Sequence, residues 1–111
     1  MTDEIKDIDE KTFDNILNSE QRIFAVQFYT QTCTTCHALL NTCLELSDKH
    51  KGKLIFVRVN AQANPGLAIR YGVLGVPSFR FFKDGKQVGE LTGSISNSKL
   101  GDTVDKLVQK H

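Results

Sequence analysis

Apolar residues fall into two rhythms along this chain, and the order of those rhythms sketches a fold. Ile23 to Tyr29 is an almost unbroken apolar run, the pattern of a central strand covered on both faces. Leu54 to Val59 repeats it with mostly β-branched or apolar residues. Ahead of the first run, Ile5 and Ile8 mark a short strand, Asp9 occupies an N-cap position, and Phe13, Ile16 and Leu17 recur at helical spacing. From Cys36 to about His50 the stripe Leu40, Cys43 and Ser47, flanked by Leu39 and Leu46, predicts one helix with a buried face, closed by Gly52. Asn60 to Gly72 reads as a loop with Pro65 and a short helix around Leu67 to Tyr71.

The last third changes character. Ser78 to Phe82 and Gln87 to Thr92 are strand-like, and the Asp-Gly of Lys83-Asp84-Gly85-Lys86 between them signals an antiparallel hairpin. Ser96 is a candidate N-cap for a closing helix in which Leu100, Val104, Leu107 and Val108 share one face. Gly101 inside that helix costs roughly 1 kcal/mol against alanine, so packing must hold it more than propensity does. The order βαβαβαββα predicts an α/β fold whose mixed sheet is parallel at first and antiparallel at the end, with helices on both faces.

Composition narrows the setting. With 111 residues, 40% hydrophobic and 24% charged, the chain suits a single domain over 1–111 with one core. Fourteen basic against 13 acidic residues leave a net charge of +1, and no basic stripe is interleaved with aromatics, so nothing supports nucleic-acid binding. The start, Met1 to Glu10, is charged, and no stretch approaches the ~18 apolar residues that span a bilayer. A cytoplasmic protein away from membranes is expected, unless a leader has been removed. Three cysteines in that compartment argue against a static disulfide framework.

Chemistry concentrates in Cys33-Thr34-Thr35-Cys36, between the first apolar run and the helix-patterned segment. First-turn N–H groups and the positive helix end favour a thiolate on Cys33, and Cys36, one turn on, is placed to resolve a mixed disulfide. The bland alternative is a disulfide that only staples a turn, which so short a loop rewards little. His37 is a candidate acid or base for the pair; its competing reading is an exposed side chain pointing away from Cys36. His37 also completes Cys-Xaa-Xaa-Cys-His, formally a c-type haem attachment sequence, but haem attachment needs export and usually a second axial ligand, and Met1 is the sole methionine. Cys43 lies about 10 Å of helix rise from Cys36, too far for an intrahelical disulfide. It reads as a buried free thiol, against a regulatory site of oxidation or glutathionylation. No metal is expected: a structural zinc needs four ligands, and His50 and His111 lack ligand spacing with the cysteines.

Over nearly its whole length the chain resembles the thioredoxin family. The matching residues are Phe28-Tyr29, the Cys33 to Cys36 pair, Asn64-Pro65-Gly66, Tyr71-Gly72-Val73, Gly75-Val76-Pro77, the Phe81-Phe82-Lys83-Asp84-Gly85 hairpin and Gly93. The resemblance implies a thioredoxin fold, about five strands flanked by about four helices, and a protein disulfide oxidoreductase that serves cell redox homeostasis. It implies Cys33 as nucleophile, Cys36 as resolving thiol and Pro77 in cis. Thr32, Gly75, Val76, Pro77 and Gly93 are its implied substrate-binding residues, with Val76 offering backbone to an extended segment. Its implied partners are disulfide-containing proteins and a thioredoxin reductase or other dithiol donor; a monomer without cofactor is expected, and no Gly-rich nucleotide turn is present.

Several residues depart from the family pattern. Thr32 replaces the usual tryptophan and Thr34-Thr35 the usual Gly-Pro. Gln27 stands where the family buries an aspartate as proton acceptor for the resolving thiol, so Gln27, His37 and Arg58 are candidate modulators. Arg58, where a lysine is usual, lacks that carboxylate and is left to favour thiolate or reach solvent. Asn41 replaces a helix-kinking proline, which predicts a straighter helix. Val73, Val76 and Ile95 are either core or substrate-facing, with family placement favouring the latter for Val76. Two other readings stay open: a binding or scaffold module of weak redox activity, and a more oxidising, isomerase-like protein.

Overall fold

The computed structural model describes residues 5–111, so the first four residues of the charged start lie outside it. Ten elements follow in order: β1 (Lys6–Asp7), α1 (Glu10–Ser19), β2 (Ile23–Tyr29), α2 (Thr34–Ala38), α3 (Leu40–Lys49), β3 (Leu54–Asn60), α4 (Pro65–Arg70), β4 (Ser78–Lys83), β5 (Lys86–Thr92) and α5 (Asn97–Lys110). One five-stranded sheet runs β1-β3-β2-β4-β5. β1, β3 and β2 are parallel, while β4 and β5 are antiparallel to their neighbours, as the order of rhythms predicts.

Strand β2 is central, and every one of its seven residues is buried. Its alternate side chains feed two cores. On one face Ala25, Phe56, Phe79 and Phe81 meet Leu39, Cys43 and Leu46 of the α2–α3 segment and Leu100 and Val104 of α5. On the other, Val26, Phe28 and Phe82 meet Phe13 of α1 and Leu67 of α4. Phe13 sits against Phe24, Tyr71 and Phe82 at ring separations of 5.3, 5.4 and 5.6 Å, which pins α1 and the end of α4 to the sheet. Among the described residues no helix is long and apolar enough to cross a membrane.

Local chemistry explains the ends of the elements. Asp9 accepts from the Thr12 N–H at 2.9 Å and Ser96 from the Lys99 N–H at 3.0 Å, so both N-caps form as expected. In the hairpin Asp84 has φ 53° and Gly85 φ 80°, the two positive values a tight type I′ connection needs. The first strand is only the two residues between Ile5 and Ile8. Ile95 is core, while Val73 and Val76 are partly buried against the second core.

Two expectations for the Cys36 to His50 segment fail. It is a helix pair, interrupted at Leu39. No proline is required for the break: the Gln27 side chain donates to the Cys36 carbonyl at 2.9 Å, and a side-chain donor entering the hydrogen-bond ladder is a recognised cause of a kink. Counted as one broken helix, the pair leaves four helical segments around the sheet. The buried stripe is also shifted by one position, to Leu39, Cys43 and Leu46, whereas Leu40 and Ser47 are only partly covered.

Candidate redox site

The pair sits just past the C-terminal end of the central strand β2. After Tyr29 the chain turns, and the Cys33 N–H donates to the Thr30 carbonyl at 3.1 Å. Cys33 becomes the N-cap of α2, and its sulfur accepts the Cys36 N–H at 3.1 Å. Cys33 and Cys36 are joined as a disulfide with their Cα atoms 5.3 Å apart. Cys33 is half-buried; Cys36 is fully buried, its sulfur 4.0 Å from the Phe28 carbonyl. Because α2 is only five residues long, support for negative charge on Cys33 comes from that direct N–H and not from a long aligned helix.

Gln27 lies beneath the pair, entirely buried. Its amide nitrogen donates to the Cys36 carbonyl, and its oxygen accepts from Arg58 Nε at 3.2 Å. A carbonyl on one side and a guanidinium on the other demand an amide, since an ionised carboxylate has no hydrogen to give Cys36. Arg58 does not simply run out to solvent. Its guanidinium carbon stacks 3.7 Å from the Tyr29 ring centroid, while Nη2 is buried without a hydrogen-bond partner. The Tyr29 hydroxyl donates to the Asp7 carboxylate. Burial chiefly, then Asp7, raises the Tyr29 pKa against the opposing charge of Arg58.

His37 is exposed and turned over the preceding loop, with Nε2 donating to the Gln31 carbonyl at 3.1 Å and its ring edge toward Tyr29. Cys43 is wholly inside, where burial pushes its thiol up to about 12 and Arg58 opposes the shift only in part. That is an inert core thiol. Among the described residues no three His, Cys, Asp or Glu side chains group closely enough to hold a metal ion.

Two shallow clefts meet at Pro77 and Gly93, and one of them reaches Thr35 of the redox motif. One, of about 410 Å³, is lined by Thr35, Pro77, Gly93, Ser94, Ile95 and Ser96. The other, of about 520 Å³, brings Gly75, Val76, Pro77 and Gly93 together with Gly72, Leu74, Ser78, Arg80, Glu90 and Thr92. The Val76–Pro77 bond is cis, and Gly93, at φ 78°, holds a backbone state that side chains disfavour. Thr32 is exposed on the turn and lines neither cleft; Thr35, two residues past Cys33, is the threonine that does. From sequence Thr35 stands out only as part of the spacer between the cysteines, and the fully exposed Leu74 and the buried Arg80 do not stand out as site residues. For Arg80 a signal existed: an arginine amid Ser78-Phe79-Arg80-Phe81-Phe82, a run otherwise fit for the interior.

Comparison with known proteins decides what this site belongs to. The thioredoxin family model matches residues 4–106. A thioredoxin of Griffithsia pacifica is 31% identical over 99 residues, covering 89% of this chain and 90% of that one. The chain belongs to the thioredoxin family. A thioredoxin of Synechocystis sp. is 29% identical over 93 residues, 84% of this chain and 86% of its own. The solved N21Q mutant thioredoxin from Halobacterium salinarum NRC-1 superposes with a TM-score of 0.80 at 26% identity, covering 93% and 89% of the two chains. Thioredoxin-family proteins are thiol–disulfide oxidoreductases, and Cys33–Cys36 is the redox couple of this one.

Proposed function

We propose that this thioredoxin-family protein works in the reducing direction, as a single monomeric domain in the cytoplasm, on disulfides of protein substrates. The observation that carries the reading is the asymmetry of the pair: Cys33 is half-buried with an N–H on its sulfur, and Cys36 is sealed behind it. In the reduced protein the Cys33 thiolate attacks one substrate sulfur, the substrate S–S bond breaks, and the departing sulfur takes a proton. Cys36 then gives up its proton and attacks Cys33 Sγ, releasing the second substrate thiol. The substrate gains two electrons and two protons, and Cys33–Cys36 is left oxidised. A thioredoxin reductase or another dithiol donor reverses that oxidation, with no bound cofactor.

In this reading the substrate lies extended along the clefts, pairing with the backbone of Val76 beside Pro77 while Gly75 and Gly93 leave room for it. Thr32 meets the substrate at the rim of the pair. Gln27 and Arg58 act on the resolving step from below, and His37 is a bystander.

An insulin-type disulfide reduction assay tests the proposal, with Cys33→Ser and Cys36→Ser as controls. Turnover by the native chain and its loss in both variants is the expected result. Folded native protein that does not turn over would instead favour the scaffold reading, which the proton-inert Gln27 beneath Cys36 supports. Titration against glutathione separates the third reading, since a midpoint near that of isomerases contradicts a reductase.

A further inference from the structure

Arg80 is a buried cation that the thiol chemistry does not use. It lies on β4 between Val26 of β2 and Glu90 of β5, 2% exposed. Its guanidinium donates from Nε to the Tyr71 carbonyl at 3.1 Å and from Nη2 to the Gly72 carbonyl at 3.4 Å. Nη1 donates to Ser78 Oγ at 2.8 Å and to the Phe79 carbonyl at 2.9 Å. The Glu90 carboxylate is 3.9 Å away and more than half exposed, so carbonyl and hydroxyl dipoles compensate most of the charge. Burying an arginine in this way is costly, and an aliphatic side chain here would face Val26 without that cost.

The bonds fall at two places in the chain. Tyr71 and Gly72 follow the last turn of α4 and open the segment 73–77; Ser78 closes it. Ser78 is fastened further by its own bond to the Leu91 carbonyl of β5 at 3.4 Å. Within the segment, Val73 donates to the Ala68 carbonyl, while Leu74 and Gly75 are exposed. One planar fork therefore joins the start and the finish of the loop that carries Val76 and Pro77.

We propose that Arg80 is a positioning residue for disulfide-bearing protein substrates: by tying Tyr71 and Gly72 to Ser78 it holds the 73–77 loop with the Val76 backbone ready to pair. The inference rests on the proposed docking of substrate along that loop. Lysine cannot replace the fork, because a single ammonium does not present donors in one rigid plane to acceptors on both sides.

The test compares Arg80→Leu with the native chain on two substrates, insulin and a small aromatic disulfide that needs no backbone pairing. Arg80→Leu is expected to raise KM for insulin about tenfold, the worth of one or two loop–substrate hydrogen bonds, with kcat held within about twofold. Its second-order rate with the small disulfide should fall by less than about twofold. Arg80→Lys is expected between the two, and it carries the comparison together with Arg80→Gln if Arg80→Leu fails to fold. An unchanged insulin KM, or equal losses on both substrates, overturns the proposal. Failure of the native chain to reduce insulin would sink the docking reading itself, and Arg80's role with it; a native chain that works beside an unaffected variant sinks the Arg80 inference alone.

Discussion

Replacing Gln27 by aspartate puts a proton acceptor where the protein has none, and the structure sets both what it disrupts and what it supplies. The variant removes the donor to the Cys36 carbonyl, about 1 kcal/mol for a neutral hydrogen bond, and one buried methylene, about 1 kcal/mol more. It also places a carboxyl in a fully buried position with Arg58 on one side. Burial raises the carboxyl pKa and Arg58 lowers it; a net rise of ~2 units costs about 3 kcal/mol once the group must ionise. Since the folded pKa then exceeds the unfolded value, that cost is absent below about pH 4 and grows as pH rises to the folded pKa. The variant should therefore be about 2 kcal/mol less stable than the native chain at pH 3 and about 5 kcal/mol less at pH 8, readable as the shift in urea unfolding. In exchange, the carboxyl, drawn back by one methylene, can take the Cys36 proton through a water. A well-positioned general base gives 10²–10⁴-fold, so about tenfold is expected at this remove. Stopped-flow resolution of a Cys33 mixed disulfide between pH 6 and 8 reads that gain directly. Unchanged or slower resolution in the folded variant refutes the view that proton removal limits this protein.

Other consequences are simpler to check. Cys43, with its thiol pushed up to about 12, should escape iodoacetamide in the folded protein at pH 8 and react fully in denaturant; native-state labelling would show that the core opens there. Cys43→Ser leaves a hydroxyl in an apolar cluster and should cost about 1–3 kcal/mol while leaving disulfide exchange intact. His37→Ala should keep resolution within about twofold from pH 6 to 8, and a larger loss would restore His37 as the base. His50 chiefly, then Lys49, hold Asp105 below the usual carboxylate range. Its contribution is present above about pH 4 and lost as pH falls through the lowered pKa. Solvent exposure limits Asp105→Asn to under about 1 kcal/mol at pH 7, and a gap from the native chain that persists at pH 2 would contradict the linkage.

The elements that sequence disclosed were those whose signal is local. Ile23 to Tyr29 is apolar on both faces because β2 is covered on both, and Asp84-Gly85 needs nothing beyond its own dihedral angles to turn the chain. The redox pair was equally legible, since a strand end, two cysteines and a helix start are consecutive. Hidden features depend on what stands across the fold. The break at Leu39 involves a donor from β2, nine residues before its acceptor, and the shifted stripe of α3 follows from the same break. Arg58 stacks on Tyr29 and bonds to Gln27 because β3 pairs beside β2 in a register that sets Gln27 against Arg58. Arg80 acquires meaning only when α4 delivers two carbonyls to it.

Trapping the first covalent step tests the central claim most directly. Cys36→Ser, reduced and mixed with a disulfide-bonded peptide at neutral pH, should accumulate one adduct, which mass spectrometry of the digest finds on Cys33. No adduct in the folded variant, or an adduct on Cys43 in its place, would contradict the account of Cys33 as the attacking sulfur.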